Sequence, residues 1–108
     1  MHEFDNYDII NIKINNEIYK LWVADTNQKK IKGLSGIDFL PRKSGMIFIY
    51  NKPTSHSFSM RKTKIPLKII FLNHNYEVVD YYKCIPYYQK PIKSKNPFTY
   101  VIEIWNER

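Results

Sequence analysis

A chain of 108 residues, 44% apolar and 16% aromatic, has room for one domain over 1–108, and this is the composition of a globular body rather than a disordered one. No run of roughly 18 apolar residues is present to cross a bilayer. The start Met1-His2-Glu3-Phe4-Asp5 carries acid where a signal peptide carries base, so the expected place is the cytoplasm, of a cell or of an infected host. The formal charge is +7, and the single cysteine, Cys84, excludes an internal disulfide.

The first element is a hairpin. Ile10, Ile12 and Ile14 alternate with polar residues, Asn15-Asn16 can take the left-handed turn, and Glu17 to Ala24 alternates again. Asp25 to Lys32 then reads as one short helix. Asp25 is the expected cap with Gln28 three residues on, Lys29, Lys30 and Lys32 suit the C-terminal end of the dipole, and Gly33 is the stop. Ile31 and Leu34 are the expected anchors to the core. Asp38 to Ser44 is irregular. Gly45 to Tyr50 is a strongly apolar strand that Lys52-Pro53 is expected to break.

Ser55 to Met60 alternates, with His56, Phe58 and Met60 on one face, and is expected to form a further strand. Leu67 to Leu72 is a strand closed by the turn Asn73-His74-Asn75. Tyr76 to Ile85 alternates, with Cys84 as a small buried hydrophobe. Pro86 to Pro97 is a loop rich in Pro and Lys, and Phe98 to Trp105 is the last strand. About seven strands and one helix predict a mainly β fold, either a small antiparallel barrel or a strongly bent sheet.

A series of short segments carries a family resemblance. They are Val23-Ala24-Asp25-Thr26, Gly33-Leu34, Gly45-Met46-Ile47-Phe48, Phe58-Ser59-Met60, Ile65-Pro66-Leu67, Phe71-Leu72-Asn73, Val78-Val79 and Tyr100-Val101-Ile102-Glu103. In order and spacing the stretch Ile18 to Glu103 resembles the uncharacterised family named domain of unknown function 192. The resemblance implies a compact, mostly antiparallel β fold with a short helix, and a mostly structural role for Gly33, Leu34, Gly45, Met46, Phe48, Phe58, Met60, Pro66 and Leu67. It implies no activity. Against the family's usual pattern this chain has Ser59 in place of tryptophan and Lys68 in place of aspartate, and no glycine-rich segment follows Trp105.

Few constellations point to chemistry. His2, His56 and His74 fall into no metal-ligand spacing, so neither a metal nor a cofactor is expected. Asp25, Asp38, Glu77, Asp80 and Glu103 are scattered, and Asp80 and Glu103 read as members of solvated strand faces. No Gly-x-Ser-x-Gly elbow or glycine-rich phosphate loop is present. Charge is the remaining signal. Arg42 to Lys95 holds eleven Lys and Arg against two acids, and Arg61-Lys62-Thr63-Lys64 with Lys68 is its densest run.

That asymmetry leads to a non-enzymatic binding or interaction module whose basic face meets an anionic ligand or an acidic protein surface. Arg61, Lys62, Lys64 and Lys68 are the expected anion contacts, with Tyr87 and Tyr88 as stacking partners should the ligand be single-stranded nucleic acid. Abundant Lys, Ile, Asn and Tyr, with one alanine, have AT-rich codons of the kind many phages use. The second reading is therefore a structural component or accessory subunit, for instance of a phage particle. The third is an enzyme of unrecognised type, with its pocket near Met60 and Pro66. Oligomeric state is not legible.

Overall fold

In a computed structural model, which describes residues 3–106, the hairpin forms as the alternation requires. Strand β1 (Ile9–Ile14) pairs antiparallel with β2 (Glu17–Ala24), and Ile14 faces Glu17. The two residues between them, Asn15 and Asn16, have φ of 50° and 68°, the left-handed pair that matches the twist of a two-residue turn. Helix α1 (Asn27–Lys32) follows. Its cap is Thr26 and not Asp25: Thr26 Oγ1 accepts the Lys29 backbone N–H at 3.2 Å, a contact that contributes about 1 kcal/mol. Gly33 ends the helix at φ 49°, as expected. The helix is too short to bury a stripe. Leu34 beyond it is buried at 2% exposure, but Ile31, the other expected anchor, stands out at 84%.

Strand β3 (Ser44–Thr54) runs through Lys52-Pro53 instead of breaking there. The pairing shifts between Ile49 and Thr54, and this irregularity accommodates a proline without a ladder hydrogen bond. Ser55 to Met60 is not a strand. Phe58 makes one isolated bridge to Ile92, and the segment otherwise crosses the sheet as a loop. Strands β4 (Leu67–Leu72), β5 (Val78–Cys84) and β6 (Phe98–Trp105) complete the set.

The sheet therefore has six strands among the described residues, in the order β1-β2-β3-β6-β4-β5. Its pairs are antiparallel except β2 with β3, which run parallel because α1 lies between them in the chain. It is not closed: β1 and β5 remain edges, so a barrel is not what forms. It is bent, because Ile10, Ile12 and Ile14 of β1 and Ile70 and Leu72 of β4 line one cavity although three strands stand between them.

Period-two alternation gives the sheet two apolar faces. One carries Met46, Phe48, Leu67, Ile69, Phe71 and Val101, and is covered by Leu34, Met60, Ile65 and Ile92 from the loops. The other carries Leu21, Val23, Ile47, Ile70, Leu72, Ile102 and Ile104 on the side toward which β1 and β4 approach each other. Strand β6 lies between β3 and β4, buried on both faces, and reads as a near-continuous apolar run. Cys84 is the buried small residue it was expected to be, and burial first, then the nearby Glu103, pushes its thiol up to about 11.

Gly45 explains how tightly β3 and β6 meet. A Cβ on Gly45 would fall 2.1 Å from the backbone oxygen of Glu103. No helix among the described residues is long and apolar enough to cross a membrane, which leaves strands unaddressed. His2 lies outside the described residues.

Candidate functional site

The buried residue that composition would least predict is Glu103. It shares the covered face of β6 with Val101, and its strand neighbours are Met46 of β3 and Ile69 of β4, both core residues. At 5% exposure it is not part of a solvated strand face, and this corrects the expectation from its alternation. Its carboxyl has no hydrogen-bond or ion-pair partner among the described residues, and burial alone pushes it up to about 8. It is therefore mostly protonated at neutral pH. Asp80, the other acid read in that way, is half-buried and accepts the backbone N–H groups of Tyr81 and Lys95 at 2.9 Å each; burial raises its carboxyl, but these bonds, the Tyr82 hydroxyl and the Lys95 charge together hold it below the usual carboxylate range.

What remains of the Glu103 surface opens on a cleft of about 660 Å³. Four pieces of chain build the walls. The end of α1 and its Gly33 stop supply Lys30, Lys32 and Leu34. Strand β3 supplies Phe48 and Tyr50, the loop supplies His56, Phe58, Ser59, Arg61, Lys62 and Thr63, and β6 supplies Glu103. The volume lies within the range of small-molecule sites, roughly 300–1,000 Å³.

The aromatic wall is ordered by its own contacts. Phe48 meets Phe58 edge to face at 5.2 Å between centroids. His56 stacks on Tyr50 at 5.7 Å, and the Lys30 ammonium sits 4.1 Å from the Tyr50 ring centroid. Burial first, then the charge of Glu103, pushes the Tyr50 hydroxyl up to about 12.

The basic wall is set by a turn. Met60 is anchored in the core, Ser59 Oγ accepts the Arg61 N–H at 3.1 Å, and the Thr63 N–H donates to the Met60 carbonyl at 3.1 Å. The Lys62 carbonyl accepts from Gly36 N–H at 3.0 Å, which ties the turn to the chain after α1. Arg61 and Lys62 are exposed on this turn, with no carboxylate partner among the described residues. Lys32 is engaged with Glu3 at 2.6 Å and donates to the Ser35 carbonyl.

The structure divides the remaining basic and aromatic candidates. Lys64 leaves the cleft to pair with Asp38 at 3.0 Å, which raises its ammonium, and Tyr87 is close enough to add to that shift. Lys68 alternates out of the face that holds Leu67 and Ile69. It lies on the opposite side of the sheet, 4.9 Å from the Tyr81 ring, around a smaller cavity of about 230 Å³ with Arg42, Lys43 and Lys83. Tyr88 lines another surface cavity, with Cys84, Ile85 and Pro91. Of the six residues expected to meet an anion, the cleft thus brings together Arg61 and Lys62. It adds Lys30, Tyr50 and Glu103, which sequence reasoning did not select.

A signal for Glu103 was present: it is the one charged residue inside the apolar run Phe98–Trp105. Of the segments that carried the resemblance, Gly33, Leu34, Phe48 and Phe58 line the cleft, while Gly45, Met46, Met60, Pro66 and Leu67 frame it as backbone and core. Among the described residues no three His, Cys, Asp or Glu side chains come together as a metal site.

Two crystal structures are similar over 92% of this chain. One is a protein of unknown function from Novosphingobium aromaticivorans, with 29% identity, a TM-score of 0.79 and 73% of its own length covered. The other is a "putative transcription regulator" from Sinorhizobium meliloti, with 21% identity, a TM-score of 0.77 and 81% covered; it shows the fold alone. No curated protein matches. Residues 10–108 match the pattern of DUF192, described as an uncharacterized ACR, and the chain belongs to that family.

Proposed function

We propose that this chain is a binding domain whose cleft receives a small organic anion. The supporting observation is the meeting of Arg61 and Lys62, exposed and without carboxylate partners among the described residues, at the rim of a ligand-sized cavity with aromatic walls. Cations at the mouth of a low-dielectric cleft concentrate field lines there and raise the local concentration of anions. Lys30 adds to that field from the end of α1. Basic residues stand on both sides of the sheet, and the reading takes those at the cleft. It leaves Lys68 out, because that residue lies across the sheet.

Isothermal titration with ribose 5-phosphate at about 20 mM and about 200 mM salt tests the reading. Binding is expected at the lower salt and weakens at the higher. Arg61→Ala with Lys62→Ala lowers affinity about tenfold or more, whereas Lys68→Ala leaves it unchanged. The reading is overturned by no binding at low salt, or by a loss in Lys68→Ala equal to that of the double variant.

A further inference from the structure

The cleft has three zones at different depths. Cations stand at the rim, Phe48, Tyr50 and Phe58 form the walls, and a carboxyl with no partner among the described residues forms the floor. Arg61 and Lys62 are exposed whereas Glu103, in the lining of the same cleft, is buried, so cations and carboxyl stand at different depths. The carboxyl has no protein partner among the described residues, and the surface it keeps opens on the cleft, where a ligand's polar group can reach it.

We propose that Glu103 reads the far end of the bound anion, and that this anion is built like a nucleoside monophosphate. Its anionic head meets Arg61 and Lys62, its flat body lies along the aromatic walls, and a heterocyclic edge with a donor beside an acceptor pairs with the carboxyl. The inference rests on the anion-binding reading above.

The chemistry of the floor selects that edge. A protonated carboxyl presents an O–H donor and a C=O acceptor side by side. Its complement is an N–H beside a ring nitrogen or carbonyl oxygen, which nucleobases carry and sugar phosphates lack. An ammonium end would require the ionised form, which burial disfavours. The titratable and charged groups around Glu103 are Tyr50 from β3, Cys84 from β5, Lys30 and Lys32 from α1, and His56, Arg61 and Lys62 from the loop.

Calorimetric titration of the full chain with the four common nucleoside monophosphates, ribose 5-phosphate and inorganic phosphate decides the matter. At least one nucleotide is expected to bind about tenfold or more tighter than ribose 5-phosphate. Glu103→Gln keeps a donor and an acceptor in the same place, so its nucleotide affinity stays within about threefold of wild type. Glu103→Leu falls to the ribose 5-phosphate level. From about pH 7.5 to about pH 9.5, above the second phosphate ionisation near pH 6, wild-type nucleotide affinity falls about tenfold while that of Glu103→Gln holds.

Equal affinity for ribose 5-phosphate and all four nucleotides overturns this inference and leaves the anion site standing. Absence of binding by every anion at low salt removes both. A wild-type affinity as flat with pH as that of Glu103→Gln also overturns it. If Glu103→Leu does not fold, the glutamine variant and the pH series carry the decision.

Discussion

Glutamine in place of Glu103 is expected to make the chain increasingly more stable than wild type as pH rises above about 4.5, and to leave it unchanged below that. Unfolded, this carboxyl titrates near 4.5; folded, burial holds it at about 8. Between those values the folded chain keeps a proton that the unfolded chain has lost. The stability tied to that proton is fully present below about 4.5 and is lost as pH rises through about 8. The interval corresponds to about 4–5 kcal/mol by pH 9, a large part of the stability of a small domain. The amide cannot ionise, so the variant escapes the loss. Thermal unfolding at about pH 4, pH 7 and pH 9 checks this, with a gain of about 10 °C or more for Glu103→Gln at the highest pH and almost none at the lowest. Curves that stay parallel would show that the carboxyl does not titrate as a buried group.

Gly45→Ala is expected to disrupt the sheet. The added methyl would meet the Glu103 backbone oxygen at 2.1 Å and Ile104 Cγ2 at 2.9 Å. The backbone oxygen cannot rotate away, so β3 and β6 must separate, and these strands lie in the middle of the sheet. The cost is about 3 kcal/mol or more, the upper end of overpacking effects. Gly36→Ala is the control. Nothing lies within 4 Å of its added methyl, and its only penalty is a φ of 77°, about 1 kcal/mol. Denaturant titration of both variants checks the contrast, and equal midpoints would contradict the close approach of the two strands.

The fold was largely legible because its strands obey simple periodicities. The Asn15-Asn16 turn, the Leu67–Leu72 strand and the Gly33 stop each follow from local chemistry, and each is present. The errors fall where tertiary context overrides local pattern. Ser55 to Met60 alternates like a strand, yet Phe58 and Met60 turn inward only to cap the sheet from above. Pro53 stays in β3 because the pairing is already shifted there. The seventh strand was the misread Ser55 to Met60, and of the two expected forms, a barrel or a strongly bent sheet, the sheet does not close into the barrel.

The site was less legible, for a topological reason. Arg61 and Lys62 were visible as a charge run, but nothing in linear order says that β6 lies between β3 and β4 and brings Glu103 beneath them. Lys68 is only seven residues beyond Arg61, yet one strand's alternation carries it through the sheet. Tyr50 and Lys30 join the cleft from segments far from the basic run. Their roles depend on a parallel pairing that no hairpin signal predicts.

Where an anion lands on the molecule decides between the cleft and the rest of the surface. Amide chemical-shift mapping of the isotope-labelled chain, titrated with ribose 5-phosphate, reads that position residue by residue. Shifts confined to Gly33–Ser35 and Ser57–Lys62, the segments that wall the cleft, are the expected result. Shifts centred on Lys43, Lys68 and Lys83 across the sheet, or scattered over every lysine, would contradict it.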